Sequence, residues 1–304
     1  MKVVIDPNAG PCSGVRRALA LLQQELQERG ECYALGEVIH NLMEMERLEQ
    51  AGLRTIDQEQ AERGDLDSFR GRRLLIRAHG ISESLRQVLK ENEITIIDGT
   101  CPTVDALQKR LRRYADQGYQ VVIVGKAGHP EVKGLSGACR GRAVVVNDER
   151  DAAHVEPNLP TVVAAQTTIA AEHFDRMVEL LKSKVKKMTV LRSMCPQVAK
   201  REENIRNFAG QVTVLLLVGG KNSSNTRVLF ESARTVNPRT IWIESPKELE
   251  SKWFEESDIV GVTGSASTPF HQLEQVRDAL IKSPLRGENT QKEEQTHHGS
   301  NNEP

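Results

Sequence analysis

Three cysteines, Cys12, Cys101 and Cys195, each stand between a short apolar run and the start of a helical pattern. A thiolate so placed is stabilised by the helix N-terminus and can hold a metal. Val3-Val4-Ile5 precedes Cys12, and Val15, Ala18, Leu19 and Leu22 follow it at helical spacing. Ile94-Thr95-Ile96-Ile97 precedes Cys101, with Val104, Leu107 and Leu111 after it, while Met188-Thr189-Val190-Leu191 precedes Cys195, with Val198 and Ile205 after it. Each context predicts strand, turn, helix, and the even spacing of roughly ninety residues predicts an internal threefold repeat. Converging thiolates select Zn, Cu(I) or an iron-sulfur cluster. Paired C-x2-4-C spacing is absent, which disfavours closed structural zinc. A 4Fe-4S cluster normally takes four cysteines, so three would leave one iron open. Cys32 and Cys139 have no counterparts in the repeat and read as small buried hydrophobes, the usual fate of a lone free cysteine.

The repeat extends beyond the cysteines. Twenty-eight residues past each one lie His40, His129 and Ser223, in the loops Gly36-Glu37-Val38-Ile39-His40-Asn41, Gly128-His129-Pro130-Glu131 and Gly220-Lys221-Asn222-Ser223-Ser224-Asn225. A further loop in each third carries His79, Thr167 with Thr168, and Ser265-Ala266-Ser267, again after apolar runs. Near-continuous apolar strands alternating with helices argue for small parallel α/β layers, whose ligands collect beyond the carboxyl ends of the strands. A single His is more often structural and a single Ser or Asn more often a cap, but their shared placement favours a site. Neutral donors at helix N-termini can hold a phosphate without a lysine cluster, and no Walker A pattern is present to suggest a nucleotide. Glu131 closely follows a loop histidine, so burial there could make it a proton donor positioned by Thr167 or Thr168. Glu37 reads as structural, at the head of a strand-like stretch.

The elements that must position these residues follow from the same pattern. The expected fold is α/β, with three similar small parallel units in a pseudo-threefold arrangement: residues 13–100, 101–193 and 194–282, the last completed by the N-terminal strand in 1–12. The chain has 304 residues and is 38% hydrophobic, enough for a substantial core. Its 41 basic and 42 acidic residues leave no field that favours nucleic acid or an anionic membrane surface. No run approaches the length of a membrane span and no signal peptide is legible, which reads as a cytoplasmic protein. Residues 283–304 are polar and read as a disordered tail, in which His297 and His298 have no role.

Taken together these motifs resemble the 4-hydroxy-3-methylbut-2-enyl diphosphate reductase family. The resemblance rests on Cys12 with Gly14-Val15, Glu37-Val38-Ile39-His40-Asn41, Ala78-His79-Gly80, Thr100-Cys101-Pro102, Gly128-His129-Pro130-Glu131-Val132, Gln166-Thr167-Thr168, Lys221-Asn222-Ser223-Ser224-Asn225 and Ser265-Ala266-Ser267. It implies a trefoil around one 4Fe-4S cluster ligated by Cys12, Cys101 and Cys195, with the substrate hydroxyl on the open iron. It also implies a diphosphate held by His40, His79, His129, Thr167, Ser223, Ser224, Asn225 and Ser267, and catalysis by Glu131 with Thr167 and His129. Two electrons would come from a ferredoxin or flavodoxin, and the products would be isopentenyl and dimethylallyl diphosphate, ending the methylerythritol phosphate route to isoprenoids.

Two stretches depart from the family pattern. Ala9-Gly10-Pro11 replaces the usual Arg-Gly-Phe before the first cysteine, and Gln197-Val198 replaces Ala-Thr after the third. Competing readings are an open-iron enzyme of the quinolinate synthase kind, which would favour cationic side chains for a dicarboxylate, and a thiolate-zinc or redox-sensing module without turnover.

Overall fold

The computed structural model describes residues 1–282, apart from the side chains of Ala199 and Ser224. The tail expected over 283–304, with His297 and His298, lies outside the described residues. In chain order, β1 (Lys2–Ile5), α1 (Ser13–Arg29), β2 (Cys32–Leu35), α2 (Leu42–Gln50), β3 (Leu53–Ile56), α3 (Gln58–Arg63), β4 (Arg73–Ile76), α4 (Glu83–Glu91) and β5 (Thr95–Asp98) come first. Next are α5 (Pro102–Asp116), β6 (Gln120–Val124), α6 (Pro130–Gly137), β7 (Ala143–Val146), β8 (Thr161–Ala165), α7 (Ala171–Lys182) and β9 (Met188–Leu191). The chain continues through α8 (Pro196–Ala209), β10 (Val214–Val218), α9 (Ser224–Arg234), β11 (Thr240–Ile243), β12 (Ile259–Gly264) and α10 (Phe270–Lys282).

The strands form three four-stranded sheets, ordered β3-β2-β4-β5, β7-β6-β8-β9 and β11-β10-β12-β1. Every pairing is parallel, and the same order recurs three times, which is the threefold repeat made structural. β1 pairs with β12 in the register Lys2↔Ile259 to Ile5↔Val262, so the first strand completes the sheet made by the last third of the chain. β5 and β9 close their sheets in the equivalent places, beside β4 and β8. Each of these three closing strands runs out into one of the repeat cysteines, and the helix that follows packs on the next sheet: α1 on β2 and β4, α5 on β6, α8 on β12.

Each sheet has one strand more than the sequence pattern suggests. β3, β7 and β11 are sheet edges. In β3 the two middle residues, Arg54 and Thr55, are both exposed, so neither alternation nor an apolar run announces it. The central strands are the reverse case. β6, β8 and β10 are buried at every position because helices cover both faces, and after Gln120 and Thr161 at the heads of β6 and β8 they read as continuous Val, Ile, Leu and Ala. Leu216 in β10 is fully enclosed, and truncating it to Ala would cost ~2–5 kcal/mol through lost burial and the cavity left behind. Helices are delimited by local chemistry. Pro102 opens α5 at a position where its missing N–H costs nothing, and Val104, Leu107, Leu111 and Ala115 bury one stripe. Gly30 ends α1 at φ 76°, a conformation that a side chain would strain.

Candidate active site

Cys12, Cys101 and Cys195 are the N-cap residues of α1, α5 and α8, and none of their side chains caps its own helix. All three are free and half-buried. The backbone fixes them: the Cys101 N–H donates to Ala78 O at 3.0 Å and the Cys195 N–H to Thr167 O at 2.8 Å. Gly14 sits where α1 meets Cys101, since a Cβ there would lie 2.8 Å from Cys101 Sγ. Cys32 and Cys139 differ in every respect. They are fully buried, Cys139 Sγ donates to Leu135 O at 3.1 Å, and burial pushes their thiols up to about 11 and about 12. Among the described residues no three His, Cys, Asp or Glu side chains close on a single metal ion. A cubane differs in demand, because each thiolate meets a different iron. Three uncommitted sulfurs at three helix N-termini suit such a group, whereas Cys32 and Cys139 are inert thiols.

Above the cysteines, the three loop histidines form a row. His40 and His79 have ring centroids 5.9 Å apart, and His79 and His129 meet edge to face at 5.1 Å. Burial, reinforced by Arg77 and the neighbouring rings, holds His79 well below the ordinary imidazole range. Burial and then the charges of His40, Arg77 and Lys126 bring His129 down to about 4. Both rings are therefore neutral near pH 7. His129 Nδ1 accepts from the Glu131 N–H at 3.2 Å, capping α6, which leaves its proton on Nε2.

Glu131 is 2% exposed. Thr167 donates to it twice, from N to Oε1 at 2.7 Å and from Oγ1 to Oε2 at 2.9 Å. Burial nonetheless raises its proton affinity, against the opposing pull of those two bonds. Gln166, the residue before Thr167, bonds instead to Thr168 Oγ1 at 2.8 Å, so Thr168 is turned to a structural task.

The third unit's loops close the ring of donors. Asn41 Nδ2 donates to Ser267 O at 3.1 Å and to Gln272 Oε1 at 2.8 Å, tying the His40 loop to the approach of α10. Ser265 Oγ and Ser267 Oγ are 2.9 Å apart. Ser223 Oγ accepts from the Thr226 N–H at 3.3 Å as the N-cap of α9, and a Cβ on Gly220 would come within 3.0 Å of His40 O. Ser224 opens α9, and its side chain lies outside the described residues. Five of the seven buried polar atoms without partners in the described residues, His79 Nδ1, Thr100 Oγ1, Arg201 Nη1, Asn225 Nδ2 and Thr226 Oγ1, belong to the repeat loops or to the helix starts beside them. Native proteins leave few such atoms, and donors of this kind suit an anionic ligand.

The structure also adds contacts that the sequence did not announce. Glu37 is no strand residue: Gly36 turns the chain at φ 64°, the next residues bend, and Glu37 Oε2 lies 3.1 Å from His40 Nδ1. Its position three residues before the loop histidine was the available signal. Both stretches that depart from the family pattern are tied down beside the cysteines, the first through the glycine that the family pattern shares. Gln197 Oε1 accepts from Ser13 N and from Ser13 Oγ, each at 3.2 Å, and Gly10 O accepts from Arg201 Nη2.

Comparison with known proteins agrees with this arrangement. No helix among the described residues is long and apolar enough to cross a membrane. A protein of Caldanaerobacter subterraneus subsp. tengcongensis named 4-hydroxy-3-methylbut-2-enyl diphosphate reductase is 37% identical over 290 residues, covering 95% of this chain and 99% of the relative. One of the same name from Aquifex aeolicus is 35% identical over 282 residues, covering 91% and 95%. A solved structure of (E)-4-hydroxy-3-methyl-but-2-enyl diphosphate reductase, described as the terminal enzyme of the non-mevalonate pathway, superposes with TM-score 0.75 at 34% identity, covering 93% of this chain and all of that one. The Plasmodium falciparum reductase structure, at 23% identity and TM-score 0.78, shares the fold. The family model described as LytB protein matches residues 3–281, and the chain belongs to that family.

Proposed function

We propose that this chain reduces (E)-4-hydroxy-3-methylbut-2-enyl diphosphate, removing the allylic hydroxyl to give isopentenyl and dimethylallyl diphosphate in the last step of the non-mevalonate isoprenoid pathway. Family membership supports the reading. The observation that carries it is the enclosed Glu131 carboxyl, held by both donors of Thr167 beside a row of three histidines.

Cys12, Cys101 and Cys195 are the proposed ligands of one 4Fe-4S cluster with an open iron. When bound, the cluster supplies a Lewis-acidic iron for the leaving oxygen and a path for electrons. The chain's own residues do the rest. His40, His79, His129, Thr167, Ser223, Ser224, Asn225 and Ser267 bind the diphosphate and orient the allylic end. Neutral donors suit this task because a preformed dry ring of them needs no reorganisation when the anion arrives. Glu131, whose burial favours the protonated form, gives its proton to the departing hydroxyl, which leaves as water. Thr167 holds the carboxyl in place, and His129 Nδ1 holds the start of its helix. Two electrons and two protons in all balance the loss of water and the new C–H bond, and a ferredoxin or flavodoxin is the proposed donor. The strand pairing supports dividing the chain into units 13–100, 101–193 and 194–282, the last completed by 1–12.

The test is anaerobic reconstitution followed by assay with the hydroxymethylbutenyl diphosphate and a chemical reductant. The expected protein is brown, holds about four irons per chain and consumes the substrate. A colourless zinc protein that cannot be reconstituted would overturn the reading.

A further inference from the structure

Helix α8 grips the Cys12 loop on both sides of the sulfur. Within its first turn, two residues after its own N-cap Cys195, Gln197 Oε1 accepts from the Ser13 backbone and hydroxyl. One turn further, Arg201 Nη2 donates to Gly10 O, two residues before Cys12. Gly10 adopts φ 97°, so the loop that presents its carbonyl to the guanidinium depends on glycine.

Arg201 is an unusual cation. Its Nη1 is buried without a partner, and its hydrogen bond among the described residues, from Nη2, goes to the Gly10 carbonyl and not to a carboxylate. Asp6 lies in the same neighbourhood, but its oxygens are committed to the Asn8 N–H at 2.8 Å and to Thr263 Oγ1 at 2.7 Å. Arg16, which donates to Pro11 O at 3.0 Å, adds a second positive charge to the same loop. The groups near Arg201 that could carry negative charge are the Cys12 and Cys195 sulfurs and the Asp6 carboxyl. A desolvated guanidinium without a carboxylate is costly unless another anion compensates it. Two thiolates and the group they hold would supply that anion.

We propose that Arg201 is a positioning residue of the iron-sulfur site, clamping the Cys12 loop to α8 and raising the reduction potential of the cluster with its fixed positive charge. The inference rests on the reductase reading. Net charge and hydrogen bonding around a cluster set its potential, and a cation stabilises the form that has gained an electron. The unpartnered Nη1 is the donor available to a cluster sulfur or to a cysteine sulfur.

The experiment compares anaerobically reconstituted full-length wild type with R201Q and R201K, measuring iron content and the midpoint potential by spectroscopic redox titration. R201Q is expected to shift the midpoint negative, and R201K to return it most of the way. If R201Q cannot retain a cluster, retention by R201K still supports the requirement for charge. Equal loss in both variants overturns it, as does an unchanged midpoint in an R201Q protein with wild-type iron content. That last result would leave a loaded wild type and the reductase reading standing, whereas a wild type that takes up no cluster sinks both.

Discussion

The five cysteines divide between two regions, and the contrast separates the proposed ligands from packing residues. Cys32 lies within a sheet and Cys139 just beyond α6, both with the sulfur enclosed by apolar neighbours and the thiol form favoured by burial. Cys12, Cys101 and Cys195 lie where strands hand over to helices, half-buried and with sulfurs free of capping duty. The same side chain is a small apolar filler in one region and an uncommitted sulfur at a helix start in the other. Residue type alone does not distinguish them; position relative to a helix N-terminus does.

Substitution breaks or sharpens this contrast. Cys101→Ser should strip the reconstituted protein of most of its iron and all reductase activity, read by iron analysis and the visible spectrum; full iron retention would end the three-cysteine assignment. Glu131→Gln should leave iron and substrate affinity near wild type while lowering turnover by roughly 10²- to 10⁴-fold, because only the proton source is removed. Unchanged turnover would remove Glu131 from the mechanism. A third prediction concerns acid. The lowered affinity of His129 for protons means that the unfolded chain binds more of them between about pH 6.5 and about 4, so stability from this group is present above 6.5 and is lost as pH falls through that window. Urea melts of wild type and His129→Asn should converge toward pH 4; a pH-independent difference would contradict it. The smallest effect is expected in the other region. Cys139→Ala should cost about 1 kcal/mol of stability with iron and activity intact. Loss of iron there would dissolve the distinction between the two regions.

Much of this was legible in the sequence because the repeat places like residues at like positions. Val121 to Val124 and Val214 to Val218 announce buried parallel strands by composition, and the loops that follow them are located by the strand ends. The edge strands β3, β7 and β11 were not, since each has four residues and leads to no polar loop of the repeat. The bend at Glu37 was not legible either, because Val38 and Ile39 are strand-like in type, while Gly36 turns the chain just before them. The bonds from Ser13 to Gln197 and from Arg201 to Gly10 cross most of the chain, and no local pattern encodes a contact between the entry to the first helix and the first two turns of the eighth.

The handover at each cysteine has a mechanical meaning. Its strand is hydrogen-bonded into one sheet and its helix lies on the next, so the sulfur sits on the seam between two rigid layers. A rotation of one layer against the other about such a seam leaves the pivot nearly still and sweeps the distant loops through an arc. Three sulfurs at three pivots would keep the proposed cluster undistorted while the histidine, serine and asparagine loops moved toward the proposed diphosphate.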